Sequence, residues 1–350
     1  MSLIQALPEG PLDIVGDIHG ELQALCDLLK HLGYDSLGFH PEGRTLVFVG
    51  DFCDRGPDSP GVLALVQSLV QSKRAVAILG NHEINLLRGD VKDGSGWFFD
   101  DRVAQDNEKY APYQRPDATA RTRIVDFLSL LPIGLERADL RVIHAAWQPE
   151  QVAAARRLPM GSVRQHYDAW ESAAFEEAAR SELEQGIAAE LESWTHSLEN
   201  QSHMPPFFEA HAEMETVKQM HNPLKVLTSG VESRGEVPFY ASGKWRFVNR
   251  VQWWDDYADS IPVVIGHYWR RFHHNSLAQP ARGIVNLFEN TSPLEWHGKL
   301  SNVFCIDFSV GGRWSARKNG SGLEQQFKLA ALRWPERTLQ FDDGHTASTY

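Results

Sequence analysis

Three short apolar runs in the first 80 residues end in glycine, and each glycine is followed at once by a residue able to ligate a metal. Leu12–Val15 leads into Gly16-Asp17-Ile18-His19-Gly20, and Leu46–Val49 into Gly50-Asp51-Phe52-Cys53-Asp54-Arg55-Gly56. Ala75–Leu79 leads into Gly80-Asn81-His82-Glu83. The stretches between them, Glu21–Leu32 and Gly61–Ser72, have helical spacing. Strand–helix–strand–helix–strand with near-continuous apolar strands predicts a parallel sheet covered on both faces. Binding crevices open at the carboxyl ends of such strands, so the three loops are expected to converge. Later in the chain Leu140–Ile143 runs into His144, and Ile261–Ile265 runs through Gly266 into His267. A lone Asp or His after a strand is most simply a cap or turn residue. The same grammar repeated at five strand ends argues for a shared site.

Two Asp, one Asn and three His suit borderline or hard divalent cations such as Mn²⁺, Fe or Zn²⁺. The three cysteines, Cys26, Cys53 and Cys305, are too scattered for a thiolate cluster or a disulfide framework. Two ions about 3.5–4 Å apart need a bridging carboxylate, and Asp51 on the middle loop is the natural one. The expected division is Asp17, His19 and Asp51 on one ion, with Asp51, Asn81, His144 and His267 on the other. With 46 acidic residues against 34 basic ones the net charge is −12. That balance argues against broad binding to nucleic acid or anionic membranes, yet leaves room for a local basic pocket. No apolar run approaches the roughly 18–20 residues that cross a bilayer, and the N-terminus lacks a signal-peptide pattern. A cytoplasmic protein is expected.

The elements Asp-Xaa-His, Gly-Asp-Xaa-Xaa-Asp-Arg-Gly and Gly-Asn-His-Glu, in this order and at these gaps, resemble those of the calcineurin-like metallophosphoesterases. Asp-Arg-Gly and Gly-Asn-His-Glu resemble the phosphoprotein phosphatase (PPP) branch and its bacterial relatives. Asn302–Arg317 resembles the late strand of bacterial PPP-type enzymes, including symmetrical diadenosine tetraphosphate hydrolases. After His144 the chain has Ala-Ala-Trp where the family commonly has Gly-Gly, and after His267 it has Tyr-Trp-Arg. The resemblance implies an α/β fold with a β-sandwich core flanked by helices. It also implies hydrolysis of phosphate monoesters, including those of phosphoproteins, by attack of a metal-held hydroxide. By that resemblance and by electrostatics, His82 donates a proton to the leaving oxygen, Asp54 orients and stabilises its imidazole, and Arg55 grips two phosphate oxygens. Glu83 is expected to orient ligands. A second phosphate-binding arginine is usual in the family. Arg234, Arg250, Arg270 and Arg271 are candidates, with Arg270 carried as a substrate-binding expectation.

The resemblance covers 12 to about 147 and resumes at 261, giving an expected core of 1–147 and 261–350. The intervening 148–260 reads as a helical cap from Gln151 to about Asn200, then a mixed aromatic segment with no recognisable motif. Residues 121–131 read as a helix, and Phe327–Phe341 as a closing hairpin turning near Trp334–Arg337. Trp97, Phe98 and Phe99 either border the site or pack the core. Cys53, if partly exposed, would make the enzyme sensitive to oxidants. Alternatives to a phosphomonoesterase are a symmetrical dinucleoside tetraphosphate hydrolase and a catalytically silent metal-binding scaffold, the latter disfavoured by intact Asp54, Arg55 and His82. Nuclease activity is disfavoured by the charge.

Overall fold

In the computed structural model, which describes residues 1–180, 183–241, 244–272, 286–320 and 326–350, the apolar runs pair in two sheets. One sheet has the order β13 (Thr346–Ser348), β12 (Thr338–Phe341), β11 (Ala330–Trp334), β2 (Leu12–Val15), β3 (Thr45–Phe48), β4 (Ala75–Ala77). Its strands β2, β3 and β4 are parallel, as expected, while β11 docks antiparallel on β2. The expected tail hairpin is β11–β12, and it closes this sheet. The other sheet has the order β1 (Ile4–Ala6), β5 (Gly134–Arg137), β6 (Leu140–Ile143), β9 (Val263–Ile265), β10 (Val303–Cys305).

Alternation along the strands explains why the sheets stack. Ile14 and Val47 in the first sheet meet Val142, Val264 and Phe304 of the second in one apolar layer. Their neighbours Val15, Leu46 and Phe48 face outward onto α1 (Leu22–Leu32) and α2 (Ser59–Gln71). Sequence spacing did not separate the two sheets: β6 reads like β2 or β3, but it pairs with β9 on the opposite side of the sandwich. The strands β1 and β5 are too short to show a period.

The insertion 148–260 contributes no strand to either large sheet. It holds α6 (Pro149–Arg156), α7 (Val163–Arg180), α8 (Leu183–Glu192), α9 (Glu209–Met220), α10 (Pro223–Ser229) and an antiparallel pair, β7 (Glu232–Ala241) with β8 (Lys244–Arg250). Its near half is part of the main core: Val152, Val163, Tyr167, Leu224 and Leu227 pack there. The far half has small clusters of its own, Leu183 with Met214 and Phe208 with Ala212 and Phe247. Core helix α3 (Asn81–Arg88) is tied to α7 by Arg88, which donates to Asp168 at 2.6 Å. A core of 1–147 and 261–350 with an insertion of 148–260 is the division we propose. No helix among the described residues is long and apolar enough to cross a membrane.

One charged residue breaks the apolar rule on the outer face of β2. Asp13 is fully buried and accepts from Arg44 at 2.9 Å, Tyr34 at 2.8 Å and Arg333 at 3.3 Å. Arg44, also buried, reaches the Leu12 carbonyl at 2.7 Å and Glu336 at 2.8 Å, stitching β2 to the loop that closes the tail hairpin. Removing one partner of a buried ion pair strands the other charge, at a cost of about 3–5 kcal/mol. Arg44→Ala is therefore expected to lose about 3 kcal/mol, since Tyr34 and Arg333 still hold Asp13, and denaturant unfolding measures it. Unchanged stability would show that the network is replaced by water.

Candidate metal centre

The loops leaving β2, β3 and β4 are held together by main-chain hydrogen bonds before any side chain is considered. Ile18 and His19 N–H both donate to the Asp51 carbonyl at 2.9 Å, and Gly20 N–H donates to Phe52 at 2.8 Å. Glu83, fully buried on the first turn of α3, joins the second loop to the third. One of its oxygens accepts from Asp51 N–H (2.8 Å) and Gly80 N–H (2.9 Å), the other from Phe52 N–H (2.8 Å). The opposite sheet is tied in by His267 N–H, which donates to Asp17 Oδ2 at 3.0 Å. Glycine is obligatory at two contacts. A Cβ on Gly80 would lie 2.2 Å from Asp51 Oδ1, and one on Gly266 would lie 2.1 Å from Asp17 Oδ1. The resulting backbone is strained: His19, Asp51, Asp54, Arg55, His267, Trp269 and Ser309 take φ between 47° and 73°. Each costs on the order of 1–3 kcal/mol, and such residues cluster where function dictates geometry.

Asp51 Oδ2 is the focus of the side chains. It lies 3.4 Å from His144 Nε2, 3.8 Å from His19 Nε2 and 3.9 Å from His82 Nε2. Asn81 Oδ1 lies 3.3 Å from His144 Nε2 and 2.9 Å from His267 Nδ1. Two groups of three therefore converge on Asp51: His19 with His82, and His144 with His267. Asp17 stands beside the second group through its bond to His267. The donor set fits divalent cations. His19 Nδ1 faces the Cys53 carbonyl at 3.0 Å and His144 Nδ1 the Val49 carbonyl at 2.7 Å. Those carbonyls take the Nδ1 protons, so each Nε2 is the atom that can ligate once it is deprotonated. Asp17 Oδ1 and His267 Nε2 are buried with no hydrogen-bond partner. Imidazole nitrogens and carboxylates gathered in a buried site suit a divalent cation, which binds as the ligand protons leave.

The titration behaviour follows from the same crowding. Burial opposes ionisation of Asp51, but His144 and His82 outweigh it and hold the carboxyl well below its ordinary range. Asp17 is pushed well above its range, by burial first and then by Asp307. Burial disfavours a proton on His144, but Asp51 dominates and raises it to about 10. For His82, burial is again outweighed, by Asp51 and by the hydrogen bond to Asp54, so its pKa rises.

His82, Asp54 and Arg55 form one edge of the cluster. His82 Nδ1 donates to Asp54 Oδ2 at 2.5 Å, and buried Trp97 donates its indole N–H to the other Asp54 oxygen at 2.5 Å. Arg55 places its N–H groups 3.0 Å from His19 Nε2 and 3.2 Å from His82 Nε2. Its guanidinium lies 4.9 Å from the ring of Trp269, whose backbone N–H is held at 2.8 Å by Asp307. Sequence reading left Asp307 out, although Val303–Cys305 followed closely by Asp307 repeats the strand-then-acid grammar.

Among the four candidate arginines, Arg270 is a correction. It is buried among Phe288, Phe304 and Phe308 and gives its N–H groups to the carbonyls of Cys305 (3.1 Å) and Ser292 (2.6 Å). Those carbonyls engage the fork that a phosphate would need. Arg234 pairs with Glu209, and Arg271 lies over Phe327. Arg250, at the end of β8, is the one whose charge reaches His267. Cys53 is fully buried, donates to Glu83 at 3.4 Å, and has its thiol pKa raised by burial, so an exposed reactive thiolate is absent there.

A model of the calcineurin-like phosphoesterase family matches residues 10–215. An asymmetrical bis(5'-nucleosyl)-tetraphosphatase, PrpE, of Anoxybacillus flavithermus is 49% identical over 79 residues, covering 22% of this chain and 32% of that protein. The PrpE of Oceanobacillus iheyensis is 49% identical over 80 residues, with the same coverage. The chain thus spans about a third of the length of these curated relatives. A solved structure of a mutant cold-active protein tyrosine phosphatase superposes with a TM-score of 0.50 at 16% identity, over 99% of this chain and 82% of that one. That likeness supports the fold alone.

Two outcomes follow from the geometry. Glu83→Gln places an amide against backbone N–H groups, so Mn²⁺ affinity measured by calorimetry is expected to fall about 10–100-fold. Because Asp51 raises the pKa of His144, a proton competes with the ion there. Mn²⁺ affinity should rise with pH between roughly 6 and 8, by up to about tenfold per unit for a single displaced proton. A flat profile would remove His144 from the ligand set.

Proposed function

This chain belongs to the calcineurin-like phosphoesterases, and on that premise we propose that it hydrolyses phosphoester bonds at the Asp51 cluster. In this reading Asp17, His19 and Asp51 hold one divalent cation, and Asp51, Asn81, His144 and His267 hold a second. The ions, when bound, acidify a water and neutralise charge on the phosphoryl oxygens. Mn²⁺ is the proposed ion, with Fe and Zn²⁺ compatible with the same donors.

The observation that carries the reading is the His82–Asp54 pair, 2.5 Å apart and flush against the cluster. A carboxylate can brace a metal-binding imidazole as well, but here His82 Nε2 also faces the Arg55 guanidinium at 3.2 Å, which suits a group that meets the phosphoryl substrate. His82 hands a proton to the leaving oxygen from Nε2. Asp54 keeps Nδ1 protonated and stabilises the imidazolium, while Trp97 fixes the carboxylate that does so. Arg55 offers a planar fork to two phosphoryl oxygens, with the indole of Trp269 beside it. Arg250 supplies a further positive charge on the His267 side.

Two substrate classes are proposed. Phosphomonoesters, including those of phosphoproteins, follow from the catalytic residues. Dinucleoside tetraphosphates follow from the names of the relatives, which specify asymmetrical cleavage where the sequence led us to expect symmetrical. Free Cys26, Cys53 and Cys305 fit a reducing compartment such as the cytoplasm.

His82→Ala is expected to lower kcat on p-nitrophenyl phosphate about 10²–10⁴-fold while two Mn²⁺ per chain are retained by elemental analysis. Asp54→Asn should fall in the same direction and less steeply. Chelation with EDTA should abolish turnover, with recovery on Mn²⁺. Full activity of His82→Ala with both ions bound would refute its role as proton donor.

A further inference from the structure

Although the chain carries a net charge of −12, one face of β8 in the insertion carries a row of cations. Strand β8 puts Lys244, Arg246 and Arg250 at positions of one parity, hence on one face with buried Val248 between the last two, and at ~3.3 Å per residue the row spans about 20 Å. Lys218 of α9, whose Nζ lies 3.9 Å from the Phe175 ring, is within electrostatic reach of Lys225 of α10 and of Lys244, and Lys92 of the core is within reach of Lys244.

The contacts form one continuous cluster. Glu215 Oε1 is shared by Lys244 at 3.3 Å and Arg246 at 3.6 Å. Glu171 takes Lys225 at 3.6 Å. Glu232 sits within electrostatic reach of Arg250, Arg246, Glu215 and Lys225, which links the two ends. The cations repel one another: Lys225 and Lys244 both act on Lys218, and Arg246 and Lys92 both act on Lys244. Among the described residues, Lys244 and Arg246 thus share Glu215, and Lys225 shares Glu171 with Arg88. The Lys244 and Arg246 side chains are 45% and 34% exposed, so their charged ends reach solvent. The row ends at Arg250, whose guanidinium lies 5.8 Å from the ring of Tyr268, the residue after His267.

We infer that this cationic face is a binding track for the linear phosphate chain of a small-molecule substrate, running from the metal centre outward along β8. A phosphomonoester would occupy the metals and Arg55 alone. An excess of cations beyond that point is useful only if the substrate carries further phosphoryl groups. Inorganic oligophosphate and the phosphate bridge of a dinucleoside polyphosphate share this chemistry. The inference rests on the phosphoesterase reading for where the chain is cut, but the track itself is testable by binding.

The test uses Mn²⁺-loaded full-length protein and the double variant Lys218→Gln/Lys244→Gln, with Lys218→Arg/Lys244→Arg as the charge-preserving control. Calorimetry with inorganic tripolyphosphate and with diadenosine tetraphosphate is set beside the steady-state kinetics of p-nitrophenyl phosphate, and thermal unfolding confirms that each variant is folded. The Gln pair should weaken both oligophosphates by about tenfold or more, and less at high salt. The Arg pair should restore binding, and KM and kcat for p-nitrophenyl phosphate should stay within about twofold. Unchanged oligophosphate affinity, or an equal loss on p-nitrophenyl phosphate, would overturn the track. Weakening of diadenosine tetraphosphate alone would also overturn it, since the residues would then be reading the nucleoside. Equally tight binding of a single-stranded oligothymidylate would overturn its assignment to a small molecule. If wild type binds tripolyphosphate through these lysines yet hydrolyses nothing, the track stands and the phosphoesterase reading falls. Hydrolysis with no lysine dependence leaves the reverse.

Discussion

The carboxylate of Glu83 is the constraint on which the site depends. It has no exposure to solvent, and it is surrounded by backbone N–H groups of two different loops, those of Asp51 and Phe52 and that of Gly80. Burying a carboxylate is unfavourable unless its lone pairs are taken, and here backbone donors take them. The Asp51 loop can therefore hold left-handed φ at Asp51, Asp54 and Arg55, a conformation that free loops of these residues would abandon. Once the loop is fixed, Asp51 Oδ2 points to the histidines, and Asp54 and Arg55 flank it. Catalytic geometry is thus set by main-chain bonds that belong to no particular chemistry.

The protein handles buried charge in two contrasting ways. On the outer face of the first sheet, Asp13 is paired with Arg44, Arg333 and Tyr34, so that pair is finished by the protein alone. At the strand ends, Asp17 Oδ1 and His267 Nε2 are left without partners, and the Nε2 atoms of His19 and His144 face Asp51. The first arrangement stabilises the fold. The second leaves donor atoms that the protein does not satisfy, which is how a binding site differs from a structural network.

The insertion joins these two themes. Its near half is continuous with the main core, and α10 is tied to the His144 loop, with Ala145 N–H bonded to the Leu227 carbonyl at 3.0 Å. Its far half contributes little apolar mass but carries the cations of α9 and β8. In an acidic protein such a cluster is the place where a local positive potential can form.

The first sheet's parallel strands, its flanking helices and the tail hairpin were legible in the sequence, because burial on both faces leaves continuous apolar runs and turns leave Gly and Pro. The convergence of the Asp17, Asp51 and Asn81 loops was legible for the same reason: ligand-bearing residues directly follow those runs. The division into two sheets was not, since β6 and β9 look like any buried strand and only long-range pairing assigns them. Arg270 shows the limit for site residues. Its distance from His267 along the chain suggested a phosphate contact, but its side chain turns into an aromatic pocket. Asp307 was passed over although it follows a strand, Trp97 was placed only as bordering the site or packing the core, and of the cations of β8 only Arg250 was singled out, because each matters through a neighbour remote in sequence. By itself the sequence determined which residue types stand at the strand ends and hence the chemistry available. Only the tertiary structure decided which of them share a cavity, because side-chain direction and sheet pairing are set by contacts across the whole chain.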